Sequence, residues 1–159
     1  VVSGGAPYIA VAGPGAASPE QVALAEEVGA LLAARGALLI CGGLGGVMEA
    51  ACRGAAQAGG VTVGLLPGED RGEANEHVAV ALATGLGQLR NGLLVRAADA
   101  LIAIGGAYGT LSEIALALRA GLAVIGLDSW AIEGVVAAGS AEQAVSLALE
   151  AAAARDARG

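Results

Sequence analysis

The sequence contains no lysine and no phenylalanine, and its 159 residues include only two tyrosines, one tryptophan and one histidine. Without lysine there is no Schiff-base chemistry and no Lys-containing phosphate loop. His77 stands alone, so a histidine cluster is excluded. Cys41 and Cys52 fit no metal-ligand spacing and read as buried free thiols of a reducing compartment. No metal is expected. Cations are scarce too: eight arginines stand against 15 acidic residues, a net charge of −7. A nucleic-acid surface needs clustered cations, so no nucleic-acid partner is expected. No apolar run reaches the roughly 20 residues of a membrane span. The opening VVSGGAPYIAVAG has no basic n-region, so no signal peptide is expected. The expectation is a cytoplasmic, soluble protein without a membrane partner.

What is present is aliphatic. The chain is 56% hydrophobic and 14% charged, which argues against disorder. Val, Ile, Leu and Ala must build the core. Tyr8–Ala12, Ala37–Cys41, Val61–Leu66 and Ala100–Ile104 are continuous apolar runs, as are His77–Leu82 and Leu122–Leu127. Helical spacing separates most of them. Ser18-Pro-Glu-Gln21 reads as a capping box with proline in the first turn, opening a helix that Gly36 stops. Further helices are expected over about Val47–Ala58, Gln88–Ala98, Thr110–Arg119 and Glu142–Ala154. Strands that are apolar throughout are buried on both faces. The expected fold is α/β: a doubly wound, mostly parallel sheet with helices on both faces, Rossmann-like, in a single domain over 1–159 with frayed ends at about 1–7 and 155–159.

In such a sheet ligands bind beyond the carboxyl ends of the strands. That edge gathers Gly13, the loop Gly42–Gly46 (with Gly42, Gly43, Gly45 and Gly46), Thr84, Gly85, and the loop Gly105–Thr110 (with Gly105, Gly106, Gly109 and Thr110). Glycine lets main-chain amides approach an anion at a helix start. Neither loop is a G-x-G-x-x-G fingerprint, so a standard dinucleotide site is not indicated. Arg90 and Asn91 could clamp a phosphate or carboxylate, or Arg90 could form a surface salt bridge with Asp99 or Glu113. Thr110-Leu-Ser-Glu113 has capping-box spacing. Glu113 therefore reads either as a cap or as a carboxylate facing a ligand. Trp130 reads as a ligand wall or a half-buried surface aromatic. The acidic loop with Glu69, Asp70, Glu73 and Glu76 reads as solvated or as a lid from which Asn75 could touch ligand.

CGGLGGVMEAACRGAAQAGG (Cys41–Gly60), ATGLGQLRN (Ala83–Asn91) and ADALIAIGGAYGTLSEIALAL (Ala98–Leu118) together resemble the Lonely Guy-like, or lysine decarboxylase-like, proteins. The resemblance is to their short bacterial Rossmann-fold nucleotide-binding branch, which includes molybdenum cofactor carrier-like proteins. It implies a homo-oligomer, dimer or tetramer, and no pyridoxal phosphate (PLP). Active phosphoribohydrolases of the family carry P-G-G-x-G-T-x-x-E and an upstream E-R-K. Here Gly105 replaces the proline and Ala107 the second glycine, while Gly106, Gly109, Thr110 and Glu113 match. Leu89-Arg90-Asn91 keeps only the arginine. These departures favour a carrier for a small anionic ligand, a nucleotide or molybdenum cofactor, with no cofactor required for the protein itself. The alternative is a nucleoside 5′-monophosphate phosphoribohydrolase with Arg90 and Glu113 catalytic.

Overall fold

The computed structural model describes residues 5–158. Seven strands form one sheet: β1 (Tyr8–Ala12), β2 (Leu38–Cys41), β3 (Thr62–Leu66), β4 (Val80–Ala83), β5 (Ala100–Ile104), β6 (Val124–Leu127) and β7 (Val135–Ala138). Five α-helices accompany them among the described residues: α1 (Pro19–Ala34), α2 (Val47–Gln57), α3 (Arg90–Ala97), α4 (Tyr108–Arg119) and α5 (Ala141–Asp156). The strand order is β4-β3-β2-β1-β5-β6-β7. Every neighbouring pair is parallel. The expected doubly wound α/β architecture is present, with the sheet parallel throughout.

Burial explains the layers. Every residue of β5, an interior strand next to the central β1, is buried, so neither of its faces meets water. Ile9, Val11, Leu39, Ile102, Ile104 and Ile125 point into one core with α1, α2 and α5. Ala10, Ile40, Leu101, Ala103 and Val124 point into the other with α3 and α4. Alanine-rich helices pack close. A Cβ on Gly54 would run into the carbonyl of Glu26, so only a glycine lets α2 approach α1 this closely. Arg53 pairs with Glu26 across the same contact at 2.9 Å.

Local rules place several boundaries. Ser18 Oγ accepts the amide of Gln21, whose side chain accepts the amide of Ser18, so the expected capping box opens α1. β4 begins three residues later than expected, because His77–Ala79 is stapled to β3. Thr62 Oγ1 donates to the carbonyl of His77 at 2.7 Å and accepts the amide of Ala79 at 2.8 Å. β7 lies outside the expected strands; it follows β6 without an intervening helix. The expected frayed ends lie partly outside the described residues. Within them, Gly5–Pro7 has no regular structure and α5 continues through Asp156.

Candidate ligand site

The chain leaves β1 toward β2, β3 and β4, then returns to β5 on the other side of β1. The crevice beyond β1 and β5 is the place where such sheets bind ligands. Three loops meet there. The amide of Val47, at the start of α2, donates to the carbonyl of Pro14 at 3.1 Å. A Cβ on Gly13 would meet Val47 and the carbonyl of Ile104 at 2.5–2.7 Å, and one on Gly105 would meet Gln21 and Pro14 at 2.6–3.2 Å. Gly46, the N-cap of α2, has φ 65° and ψ −127°, a conformation open essentially to glycine alone.

An α-helix leaves its first amides without an internal acceptor. Neither Gly46 nor Ala107, the N-caps of α2 and α4, supplies a side-chain acceptor. Apart from the Val47 amide, which Pro14 O already takes, both helix starts therefore present first-turn N–H groups and the positive end of the helix dipole at one edge. Other loop groups are already engaged. Asn75 straps the Gly42–Gly46 loop: its Nδ2 donates to Leu44 O at 2.9 Å and its amide to Gly43 O at 2.9 Å. Thr84 Oγ1 donates to Leu66 O, and the amide of Gly85 donates to Gly68 O. These two residues shape the edge by holding β4 to β3.

Beneath the loops lies a buried polar group of four: Arg90, Asn91, Thr110 and Glu113, none more than 8% exposed. Arg90 Nη1 donates to Asn91 Oδ1 at 2.8 Å. Arg90 Nε and Thr110 Oγ1 are buried with no hydrogen-bond partner among the described residues. Arg90 fits because Gly42 has no side chain: a Cβ there would lie 2.7 Å from Arg90 Nη2. The surface salt-bridge reading of Arg90 fails on this burial. Asp99 instead accepts the amide of Tyr8.

The capping-box reading of Thr110 and Glu113 also fails. α4 starts at Tyr108 with Ala107 as N-cap, so Thr110 already lies inside the helix. Thr110, Glu113, Ile114 and Ala117 form its buried face. Burial raises the Glu113 carboxyl to about 7, opposed by the positive charge of Arg90. Burial lowers the Arg90 pKa, opposed by the charges of Glu113 and Cys41. Among the described residues the two make no ion pair. An unpartnered buried guanidinium nitrogen is costly unless a ligand acceptor completes it. A carboxyl that titrates near neutrality can also give or take a proton.

Cys41 and Cys52 are both buried and free, with Sγ atoms 3.5 Å apart. Cys41 Sγ also accepts the amide of Gly43, steadying the loop above it. Glu49, Glu76 and His77 place ligand atoms within 4.8 Å of one another, with Glu76 exposed. The sequence gives no signal for Ser129, whose buried Oγ has no partner among the described residues. A cavity of about 540 Å3 lined by Pro7, Arg35, Asp99 and Arg155 lies at the opposite, amino end of β1 and β5. It is remote from the glycine loops. No helix among the described residues is long and apolar enough to cross a membrane.

The SLOG cluster4 family model matches residues 6–155. An uncharacterized protein of Archaeoglobus fulgidus is 43% identical over 139 residues, covering 87% of this chain and 91% of the relative. The molybdenum cofactor binding protein of the phototrophic bacterium Rippkaea orientalis superposes with a TM-score of 0.88 at 37% identity, over 93% of this chain and 98% of that one. The molybdenum cofactor carrier protein of Chlamydomonas reinhardtii superposes with a TM-score of 0.86 at 32% identity, over 93% and 99%.

Proposed function

The chain belongs to the SLOG cluster4 family, and from that membership we propose that it binds and carries a small phosphate-bearing ligand of the nucleotide or molybdenum cofactor class. One observation carries the reading: two uncapped helix starts converge beside a buried arginine whose Nε lacks an acceptor. An anion at that place would complete both. Main-chain dipoles and one guanidinium can outweigh an overall charge of −7 locally, because they act at short range while the acidic side chains are spread over the chain. The solved relatives named for molybdenum cofactor support this ligand class. They do not favour the hydrolytic reading.

Amides of the Gly42–Gly46 loop, with those of Gly106, Gly109 and Thr110, supply the cradle; the amides of Gly43 and Gly105 are held by Cys41 Sγ and Leu127 O, so these two glycines shape the loops, with Gly13 setting the floor. Arg90 supplies the charge and Asn91 orients it. Thr84 and Gly85 act through β4. The reading requires neither PLP nor lysine, and the homo-oligomer implied by resemblance and a cytoplasmic location belong to it as proposals. The test is mass spectrometry of the small molecule released when the purified protein is mildly denatured. A phosphate-bearing pterin or nucleotide is expected, and its occupancy should fall at least about tenfold in Arg90→Ala, since hydrogen bonds to charged groups are worth roughly 1.5–3 kcal/mol. Release of free base from AMP, lost in Glu113→Ala, would replace the carrier with a hydrolase.

A further inference from the structure

The chain has only three aromatic residues, and none of them is in the core: Tyr8, Tyr108 and Trp130 are all exposed by more than a third. A protein short of aromatic side chains gains most from burying them, so leaving them at the surface calls for a use. Tyr108 opens α4 and Trp130 follows β6, so both stand at the carboxyl edge of the sheet. Trp130 is also tied to the loop that starts α4. A Cβ on Gly106 would lie 3.2 Å from its Nε1, so the indole edge rests against that loop.

Trp130 lines a cavity of about 390 Å3 beyond β6 and β7, together with Asp128, Ser129, Ile132 and Ala138. That is within the range of small-molecule sites. Its wall is mostly apolar, but two polar features break it. Ser129 Oγ is buried and unpartnered among the described residues. Asp128 has φ 52°, the only non-glycine residue in the left-handed region among the described ones. Asp tolerates that region better than most residues, yet such conformations gather at ligand sites.

We propose that this cavity takes a flat, hydrogen-bonding bicyclic ring, a purine or a pterin, stacked on Trp130, with Ser129 and Asp128 reading its edge. The inference rests on the anion site proposed above and assigns the other end of the same ligand. The phosphate lies over the α4 amides on one side of Gly106; the ring lies against the indole on the other. An indole face offers stacking to either ring, and a hydroxyl and a carboxylate offer a donor and acceptors to ring N–H and C=O groups.

Trp130 is the only tryptophan, so tryptophan fluorescence reports on this one side chain. The probes are guanosine 5′-monophosphate, a pterin monophosphate and ribose 5-phosphate, titrated by calorimetry and by fluorescence. At least one ring-bearing probe should bind about tenfold or more tighter than ribose 5-phosphate and quench the tryptophan. Trp130→Ala should bring that probe down to the ribose 5-phosphate affinity while leaving ribose 5-phosphate itself unchanged. Trp130→Phe, which keeps a ring, should restore most of the preference. Equal binding of ring-bearing and ringless probes, or a preference that survives Trp130→Ala, overturns the ring site and leaves the anion site standing. If none of the three probes binds, the anion site falls and the ring site falls with it. Whether purine or pterin wins identifies the source of the ring.

Discussion

Arg90 and Glu113 are buried together beneath the glycine loops and influence each other's charge without forming an ion pair. Asn91, not Glu113, accepts the hydrogen bond from Arg90 Nη1. The carboxyl is therefore desolvated but only partly compensated, which is why it titrates near neutrality.

The pH dependence of stability should show it. Glu113 moves from an ordinary 4.5 to about 7 in the folded chain. Between those values the folded state keeps a proton that the unfolded state has lost. Its contribution is full below the unfolded value and is lost as pH rises through the folded one. The loss approaches about 3 kcal/mol once both states are ionised. Glu113→Gln removes this dependence. Urea unfolding should find variant and wild type nearly equal near pH 4 and the variant more stable by about 2–3 kcal/mol near pH 8. A difference that does not change with pH would place the proton elsewhere.

Two glycine-to-alanine changes should act in opposite directions. At Gly54 the new methyl meets the carbonyl of Glu26 on α1, so Gly54→Ala should cost about 1–3 kcal/mol or more by forcing the two helices apart. At Gly92, inside α3, a Cβ meets nothing within 4 Å. Gly92→Ala should gain about 0.5–1 kcal/mol from helix propensity. Thermal melts of the pair separate tight helix packing from backbone entropy as the reason for a glycine.

The two thiols should behave as a buried, reduced pair. Both are fully inaccessible; the hydrogen bond with Cys52, then burial, raises the Cys41 pKa well above its ordinary value, and the same hydrogen bond lowers that of Cys52. A thiol that no reagent can reach reacts slowly whatever its pKa, so burial is what protects Cys52. Neither should react with a thiol-specific disulfide reagent in the native protein within an hour, and both should react at once in denaturant. Rapid labelling of one cysteine in the folded protein would show that the Gly42–Gly46 loop opens.

The continuous apolar runs revealed the sheet because parallel strands covered on both faces leave no alternating pattern to misread. Tyr8–Ala12 and Ala100–Ile104 were located to the residue. Val135–Ala138 escaped because it is four residues long, lies between glycines and lacks the crossover helix that usually announces a parallel strand. Thr110 and Glu113 misled for a different reason. Three residues apart is both the span of a capping box and one step along the inward face of a helix. Only the true start of α4 at Tyr108 separates the two. Glycine loops and Arg90 were visible as residue types; the burial of Arg90 was not, because it depends on the missing side chain of Gly42 in a different loop.

The cradle formed by the starts of α2 and α4 is made of peptide groups, and peptide groups neither gain nor lose a proton in ordinary buffers. Such a grip cannot sense acidity by itself. Under the proposed function, release of the ligand on a change of acidity would have to come from titrating side chains such as Glu113 or from the ligand's own groups, and glutamine at position 113 would remove the Glu113 signal.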